Sequence, residues 1–297
     1  MKKNYKKIHR FTALALLAAS MSAQATEGGG STYPGPENYM VAVAPHPGVF
    51  WLSYGNVYSA SKVKDNSGND IPVPGFKLRV NVVTLRGIWV TPYRMLGGNL
   101  VVHSILPLVD VTVDQAGASQ HKTGFGDVTV GTAIATHYSP QLYTAFGVDF
   151  LLPTGDYNQN NLANLGRNYL SIQPMYALSY VKPTGFNGDF KLTFNLNQKN
   201  SATQYKSGNE VFVDYDAGYG LGNGWVVGVG GLVRQQFTDD TRNGVTVANN
   251  RAHVFAIGPS IKYSNANHWF ITAKLQQESS RNTTQGAAFW VKARLMF

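Results

Sequence analysis

The sequence contains no cysteine, which excludes disulfide bonds and thiolate metal sites and suits a protein that passes through an oxidising compartment. Only 14% of its 297 residues are charged, and after residue 25 no apolar run is long enough for a membrane-spanning helix. The chain is therefore either soluble or crosses a membrane as β-strands, whose alternating pattern gives only a weak hydropathy signal.

Motifs for catalysis and for cofactors are also missing. Two glycine-rich stretches, 124–126 and 228–231, resemble phosphate loops, but no Gly-Lys-Ser/Thr follows, and close strand packing explains them better. Residues 65–70 (DNSGND) lack the downstream glutamate of a calcium loop. No G-x-S-x-G elbow occurs, and His103 and Ser104 are neighbours whose side chains point to opposite faces of a strand. We predict no enzyme, no cofactor and no metal site; a hydrolase using His103 or His137 is the weakest alternative.

The first 25 residues have the pattern of a secretory signal peptide. Five basic residues precede a short apolar core, and Ala23-Gln24-Ala25 forms a small-x-small cleavage site. Removing this segment leaves 20 basic residues against 16 acidic ones, a net charge near +4 that is too small to indicate nucleic-acid binding. Residues 26–47 are rich in glycine, proline and serine and predict an irregular N-terminal segment, either inside a barrel or free in the periplasm.

The last twelve residues, GAAFWVKARLMF, alternate between an apolar face that ends on Phe297 and a face that carries Lys292 and Arg294. Such a strand is either the edge of a soluble sheet or the closing strand of an outer-membrane barrel, where a final phenylalanine also serves as the signal for the barrel-assembly machinery.

Eleven further strands are predicted before the last one. An interruption of the alternation near residues 83–84 indicates a bulge, and residues 114–124 are predicted to form a loop. The predicted strands, including the last, span 48–59, 76–90, 99–113, 126–138, 141–152, 169–180, 189–197, 210–221, 225–237, 252–263, 268–278 and 286–297.

Two regularities favour a membrane barrel over a soluble sandwich. Short connections alternate with long polar ones, as they do between the two rims of outer-membrane barrels. Aromatic residues flank the short connections and predict a girdle at one lipid–water boundary, formed by Tyr138, Tyr180, Tyr219, Trp225, Tyr263, Trp269 and Phe297. We therefore predict an all-β fold, a transmembrane antiparallel β-barrel of about twelve strands over residues 48–297, located in the outer membrane and surrounded by its lipid.

Charged residues on the face opposite the apolar one are predicted to line the lumen. They either form ion pairs that close a narrow lumen or line a path for a solute, and the pattern does not decide between these possibilities. The candidates are Arg79, His103, Asp149, Lys191, Asp214, Asp216, Arg234, Lys274, Lys292 and Arg294.

Several segments, taken in order, resemble a bacterial family known as "putative MetA-pathway of phenol degradation" (SphA-like). The resemblance extends from residue 48 to the end of the chain. It is carried by GFGDVTVG (124–131), FLLPTGDY (150–157), NLGRNYLSIQPMYALSY (164–180), YKSGNEVFVDYDAGYGLGNGW (205–225), RQQFTDDT (234–241), AIGPSIKY (256–263) and FWVKARLMF (289–297). It implies an outer-membrane barrel associated with the uptake or metabolism of aromatic compounds, and it assigns no site residue.

The sequence thus predicts a channel for small hydrophobic or aromatic molecules. The main alternative is a structural or surface-interaction barrel that works through external loops such as 154–168 and 238–251.

Overall fold

The protein forms a closed antiparallel β-barrel of twelve strands in the computed structural model, which describes residues 35–44, 46–265 and 269–295. The predicted signal peptide and Phe297 lie outside these residues. In the described part of the chain, no helix has the length and apolar character needed to cross a membrane.

The strands follow the predicted order, with several longer than expected. They are β1 (Gly48–Lys64), β2 (Asp70–Ile71), β3 (Lys77–Met95), β4 (Gly98–Gln115), β5 (Ala118–Phe125), β6 (Thr129–His137), β7 (Leu142–Leu151), β8 (Ser171–Tyr180), β9 (Thr184–Asn197), β10 (Tyr205–Lys206), β11 (Glu210–Leu221), β12 (Trp225–Gln236), β13 (Asp240–Arg242), β14 (Val245–Val247), β15 (His253–Ser264), β16 (Phe270–Arg281) and β17 (Thr284–Leu295).

The barrel closes where the last strand pairs with the first. Successive wall strands pair in the order β1, β3, β4, β6, β7, β8, β9, β11, β12, β15, β16, β17, and β17 returns to β1 with Trp51 opposite Leu295. β2 and β5 extend the wall at β1 and β4, while β10, β13 and β14 form a separate small sheet. Closure leaves neither β1 nor β17 with an unpaired edge, so the charges of Lys292 and Arg294 are not needed to block one.

The two ends of the barrel differ. One end, here called the short-turn rim, carries the connections 96–97, 138–141, 181–183 and 222–224, together with the end of β15 and the start of β16. Aromatic side chains surround it as predicted: Tyr138 and Tyr219 are exposed, and Tyr263 contacts both Trp225 and Trp269 at ring-centroid distances of 4.8 and 5.5 Å. The opposite end, the long-loop rim, carries the longer loops, including 152–170, 198–209 and 237–252.

Two predictions about the strands were wrong. No bulge occurs at residues 83–84, because β3 pairs with both neighbours without interruption from residue 78 to 90. Val80 and Val82 instead point inward, while Val83 and Leu85 are exposed on the outside. The predicted loop 114–124 is a hairpin in which β4 and β5 are joined by Ala116 and Gly117, both with positive φ.

This hairpin shows where the barrel leaves the apolar layer. Leu108 and Phe125 are opposite each other and exposed on the outside, 44% and 60% respectively. One step closer to the long-loop rim on the same face, Asp110 accepts hydrogen bonds from Asn81 and Thr123. The outer surface therefore changes from apolar to polar between these two levels, which sets the upper edge of a lipid-facing band.

Candidate functional site: the occluded lumen

The lumen is occupied by residues 35–44, here called the plug, so this part of the predicted N-terminal segment lies inside the barrel. Glu37 is the centre of its contacts. The Glu37 carboxylate lies 3.2 Å from Arg86 Nη1, 3.4 Å from Lys292 Nζ and 3.7 Å from Lys191 Nζ. The hydroxyl of Tyr54 donates a 3.5 Å hydrogen bond to the same carboxylate. Basic side chains from three strands that are far apart in sequence therefore contact one buried carboxylate.

The ionisation of Glu37 reflects these neighbours. Burial raises the pKa of its carboxyl group, but the positive charges of Lys292, Lys191 and Arg86 outweigh this effect and lower the pKa from 4.5 to about 2. Glu37 is therefore a carboxylate at every physiological pH, and its ion pairs hold the plug in place.

The backbone of the plug is fixed by the same wall. Lys292 Nζ donates to the carbonyl oxygens of Asn38 and Tyr39 at 2.8 and 2.9 Å, and Lys274 Nζ donates to that of Glu37 at 2.7 Å. On the other side, the amide of Val41 donates to Asp189 Oδ1 at 3.1 Å. Backbone groups that strand pairing cannot satisfy are thus satisfied by charged side chains.

Two glycines make room for the plug. A Cβ atom at Gly218 or Gly228 would lie 2.3 or 2.5 Å from the hydroxyl oxygen of Tyr39, closer than real Cβ contacts come. Tyr39 is 1% exposed, and its hydroxyl lies 3.0 Å from Ser260 Oγ. The glycine-rich stretch 228–231 therefore allows close packing, as predicted, and the group it accommodates is an aromatic ring of the plug.

A cavity of about 150 Å³ lies between the plug and the long-loop rim. Its floor includes Glu37 and Tyr54, and its wall combines apolar and polar side chains. The apolar members are Val82, Ile105, Pro107, Leu151, Leu165, Phe212 and Trp290, and the polar ones include Asp127, Asp149, Arg167, Gln173, Lys191, Asn195 and Asp214.

The loop 152–170 folds inward and forms part of this wall. Ala163 and Leu165 pack against Val80, Val109 and Val111 in a buried apolar cluster. The strand positions that face inward here are valines because they meet this loop. Deeper in the barrel, a second apolar cluster that includes Val90 and Val101 packs against Ala42 of the plug. The second half of a loop that the surface-interaction alternative treated as external thus contains buried residues inside the barrel, whereas residues 153–154 and 158–160 are exposed.

The wall beside the cavity contains a break. β4 pairs with β5 from residue 108 to the hairpin and with β6 from residue 105 towards the short-turn rim, and residues 126–128 between β5 and β6 belong to no strand. Pro107, which has no N–H group to donate, lies opposite this gap. Among the residues that the structure describes, β5 pairs with no strand on its other side.

The loop 152–170 covers the break from the side. The amides of Gly155 and Arg167 donate to the carboxylate of Asp127 at 2.9 and 2.8 Å. Leu152 N donates to Val128 O at 2.8 Å, and beyond this bond none of the described strands continues the ladder next to β5. The cavity and the lipid-facing surface are therefore separated here by loop residues, at the level of exposed Leu108 and Phe125.

The structure brings nine of the ten predicted lumen residues inside the barrel. His103, Asp149, Asp214, Asp216, Arg234, Lys274, Lys292 and Arg294 are buried, and Lys191 contacts the plug. Arg79 is the exception: its side chain is 59% exposed on the outer surface and pairs with Asp114 at 3.6 Å. The prediction that Arg79 lines the lumen is wrong, because the inward positions of β3 at this height are the valines.

The hydrolase alternative depends on histidines that the structure separates. His103 Nε2 lies 2.9 Å from Asp149 Oδ1 in the buried lumen, but Ser104 is on the exposed face, as predicted. His137 is exposed near the short-turn rim and stacks on Tyr143 with ring centroids 4.4 Å apart. Within the described ranges, no three histidine, aspartate or glutamate side chains come close enough to hold a metal ion.

Residues that hold the plug in the lumen are absent from the predicted lining. Glu37 lies in the segment predicted to be irregular, and Arg86 follows the wrongly predicted bulge at residues 83–84. Trp290 alternates in step with Lys292 and Arg294 and lines the cavity, although it is not among the predicted lining residues. One signal was available, since Glu37 is the only acidic residue in the predicted mature segment before Asp65 apart from Glu27.

The fold is similar to that of the COG4313 outer membrane channel from Pseudomonas putida F1, with a TM-score of 0.77 and 17% sequence identity over 88% of this chain and 99% of that one. The transport unit of the autotransporter AIDA-I from Escherichia coli is more distant, with a TM-score of 0.52 and 6% identity over 94% of this chain and 97% of that one. At these identities the likeness concerns the fold alone.

No curated protein sequence shows significant similarity to the chain. The sequence profile of one family, however, matches residues 60–293, which include almost the whole barrel. This match agrees with the resemblance seen in the motifs and extends over well more than half of the chain. The protein therefore belongs to the family described as "Putative MetA-pathway of phenol degradation".

Proposed function

We propose that the protein is an outer-membrane channel that passes small hydrophobic or aromatic molecules and carries no catalytic activity of its own. The observation that carries this proposal is the partly apolar cavity that reaches from the plug to the break in the wall. A dry cavity of similar volume in another protein binds benzene, so a space of about 150 Å³ fits one aromatic ring. The family name and the channel with the similar fold agree with this function.

The proposed location follows from the sequence ends and the barrel surface. Residues 1–25 direct the chain through the inner membrane, Phe297 is read by the barrel-assembly machinery, and outer-membrane lipid surrounds the apolar band. The short-turn rim then faces the periplasm, since outer-membrane barrels have short periplasmic turns.

The proposed route is lateral. The plug blocks the axial path, and its ion pairs make it costly to remove. The break at residues 126–128 gives a molecule in the cavity a way to or from the lipid that requires only loop residues to move, and the loop 152–170 is the element that moves.

Two matched tryptophan variants on β9 test the cavity as the pathway. Thr193 lines the cavity, whereas Phe194 is 38% exposed on the outer face. Thr193→Trp should fill the cavity and reduce the flux of toluene or phenol into liposomes by at least tenfold, while Phe194→Trp should leave it unchanged. Equal flux through both variants, or no flux through the wild type across a broad panel of solutes, would refute the proposal.

A further inference from the structure

Two lysines of the lumen wall each have an acceptor on the plug and a carboxylate beside them on the wall. Lys274 Nζ donates to the carbonyl oxygen of Glu37 at 2.7 Å and lies 3.7 Å from Asp216 Oδ2. Lys191 Nζ lies 3.7 Å from Glu37 Oε1, and Asp214 is directly opposite Lys191 in the pairing of β9 with β11. Directly opposite residues have Cβ atoms about 5 Å apart, so a change of rotamer brings the Lys191 ammonium to Asp214.

The wall carboxylates are incompletely satisfied while the plug is in place. Asp214 Oδ1 and Asp189 Oδ2 have no hydrogen-bond partner among the described residues. The 3.7 Å separation between Lys274 and Asp216 is an ion pair, but it is too long for a hydrogen bond. Buried carboxylates are normally both paired and hydrogen-bonded. The plugged lumen therefore leaves part of the pairing capacity of its wall unused.

Asp214 also opposes the plug directly. Glu37 and Asp214 line the same cavity and compete for Lys191. Like charges that share a buried space disfavour each other's ionised form, and water inside the cavity screens them less than bulk solvent would. A wall built only to hold Glu37 would bind it more tightly without Asp214, so this carboxylate serves a state in which Glu37 is absent from the lumen.

We propose that the lumen is an electrostatic switch with two alternative sets of ion pairs. With the plug in place, Lys191 and Lys274 bind Glu37. When the plug leaves, Lys191 pairs with Asp214 and Lys274 closes onto Asp216. The replacement pairs offset part of the cost of releasing the plug, because neither lysine is left as an uncompensated charge. This inference concerns the movement of the plug and goes beyond the solute and the lateral route proposed above.

An introduced cysteine tests the switch, because the chain has none of its own. Ala42→Cys places a thiol in the plug at a position that is 3% exposed. We would label it with a charged maleimide in the purified full-length protein in detergent micelles. Its reaction requires the plug to leave, so the labelling rate follows the fraction of molecules with the plug out. Ser61→Cys, exposed on β1, gives the rate for an accessible thiol.

Asp214→Asn should slow labelling at position 42 about tenfold, the size expected for one hydrogen bond to a charged group. Asp216→Asn is a second variant with the same expected direction, and Asp214→Glu, which keeps the charge, should restore the original rate. Glu278→Gln changes a carboxylate that is bonded inside the barrel to Tyr58 and Gly286, away from the plug, and should leave the rate unchanged. A variant that fails to fold would label faster, the opposite of the expected result.

A double-mutant cycle identifies the group that moves. In the Lys191→Met background, Asp214→Asn should slow labelling by about threefold or less, because only the repulsion between Asp214 and Glu37 is then lost. Unchanged or faster labelling in both Asp214→Asn and Asp216→Asn, a full tenfold effect in the Lys191→Met background, or no labelling at position 42 while Ser61→Cys reacts would overturn the inference. The flux of toluene into liposomes tests the proposed function separately, so each proposal can fail alone.

Discussion

At the scale of single residues, the plug depends on a carboxylate whose charge is compensated by three separate strands. Removing one partner from a buried ion pair leaves the others uncompensated, which typically costs about 3–5 kcal/mol. Glu37 therefore stabilises the position of the plug in the lumen far more than a surface carboxylate would. Its loss should destabilise the plug and not the barrel, because the strand pairing of the barrel does not involve residue 37.

Glu37→Gln should loosen the plug and open an axial water path. We expect the ion conductance of single molecules in planar bilayers to rise at pH 7, with longer open times. Glu278→Gln is the matched control, since Glu278 is also bonded inside the barrel, to Tyr58 and Gly286, but does not contact the plug. Similar conductance in wild type and Glu37→Gln would show that the plug is held by other contacts.

The pH dependence of the wild type follows from the same carboxylate. The pKa of Glu37 is lower in the folded state, about 2, than its ordinary value of 4.5, so its contribution to stability is complete above pH 4.5 and is lost as the pH falls towards 2. Conductance should therefore be flat from pH 5 to 8 and increase only under more acidic conditions. An opening transition near pH 6 would contradict this assignment.

At the scale of elements, the long-loop rim is organised by a small sheet rather than by free loops. β10, β13 and β14 bring the loops 198–209 and 237–252 together, and Asp240 holds them. Its carboxylate accepts hydrogen bonds from Gly208 N at 2.6 Å, Gln236 Nε2 at 2.8 Å and Asn250 Nδ2 at 2.6 Å, and from the hydroxyl of Tyr205.

Asp240→Ala should release the small sheet of β10, β13 and β14, here called the cap. Trypsin added to the folded protein should then cut in the loops 198–209 and 237–252 at least tenfold faster, because Lys206 and Arg242 lie on strands that lose their anchor. The adjacent variant Asp239→Ala removes only an exposed pair with Arg251 and should change the cleavage rate little. Identical cleavage in the two variants would show that Asp240 does not anchor the cap.

At the scale of the whole molecule, the barrel is a closed sheet whose outer face changes from apolar to polar towards the long-loop rim. Alternation along β4, β7, β16 and β17 predicts the lipid-facing side correctly, because a membrane surrounds these strands over most of their length. It fails on β3, where the upper part rises above the apolar band and the inward positions meet the loop 152–170. At this height the charged side chain of Arg79 therefore points outward and the apolar side chain of Val80 points inward, the reverse of the arrangement along the rest of the wall.

Arginine substitutions at two depths on β16 should report the membrane layer. Leu275 lies near the middle of the strand and Ser279 four residues closer to the long-loop rim, both exposed on the outer face. Leu275→Arg should lower the free energy of unfolding in liposomes by about 2–4 kcal/mol and Ser279→Arg by about 0–1 kcal/mol. Equal costs in urea titrations would mean that β16 does not cross the bilayer at this level.

The sequence by itself determined the number and order of the wall strands, the aromatic rim and the lumen position of His103, Lys274, Lys292 and their neighbours, because alternation and turn chemistry are local properties. Only the tertiary structure decided that residues 35–44 fill the lumen, that the wall breaks at residues 126–128, and that Arg79 lies outside. These features depend on contacts between segments up to 255 positions apart, such as Glu37 with Lys292, and no local pattern encodes which distant group a buried charge will meet.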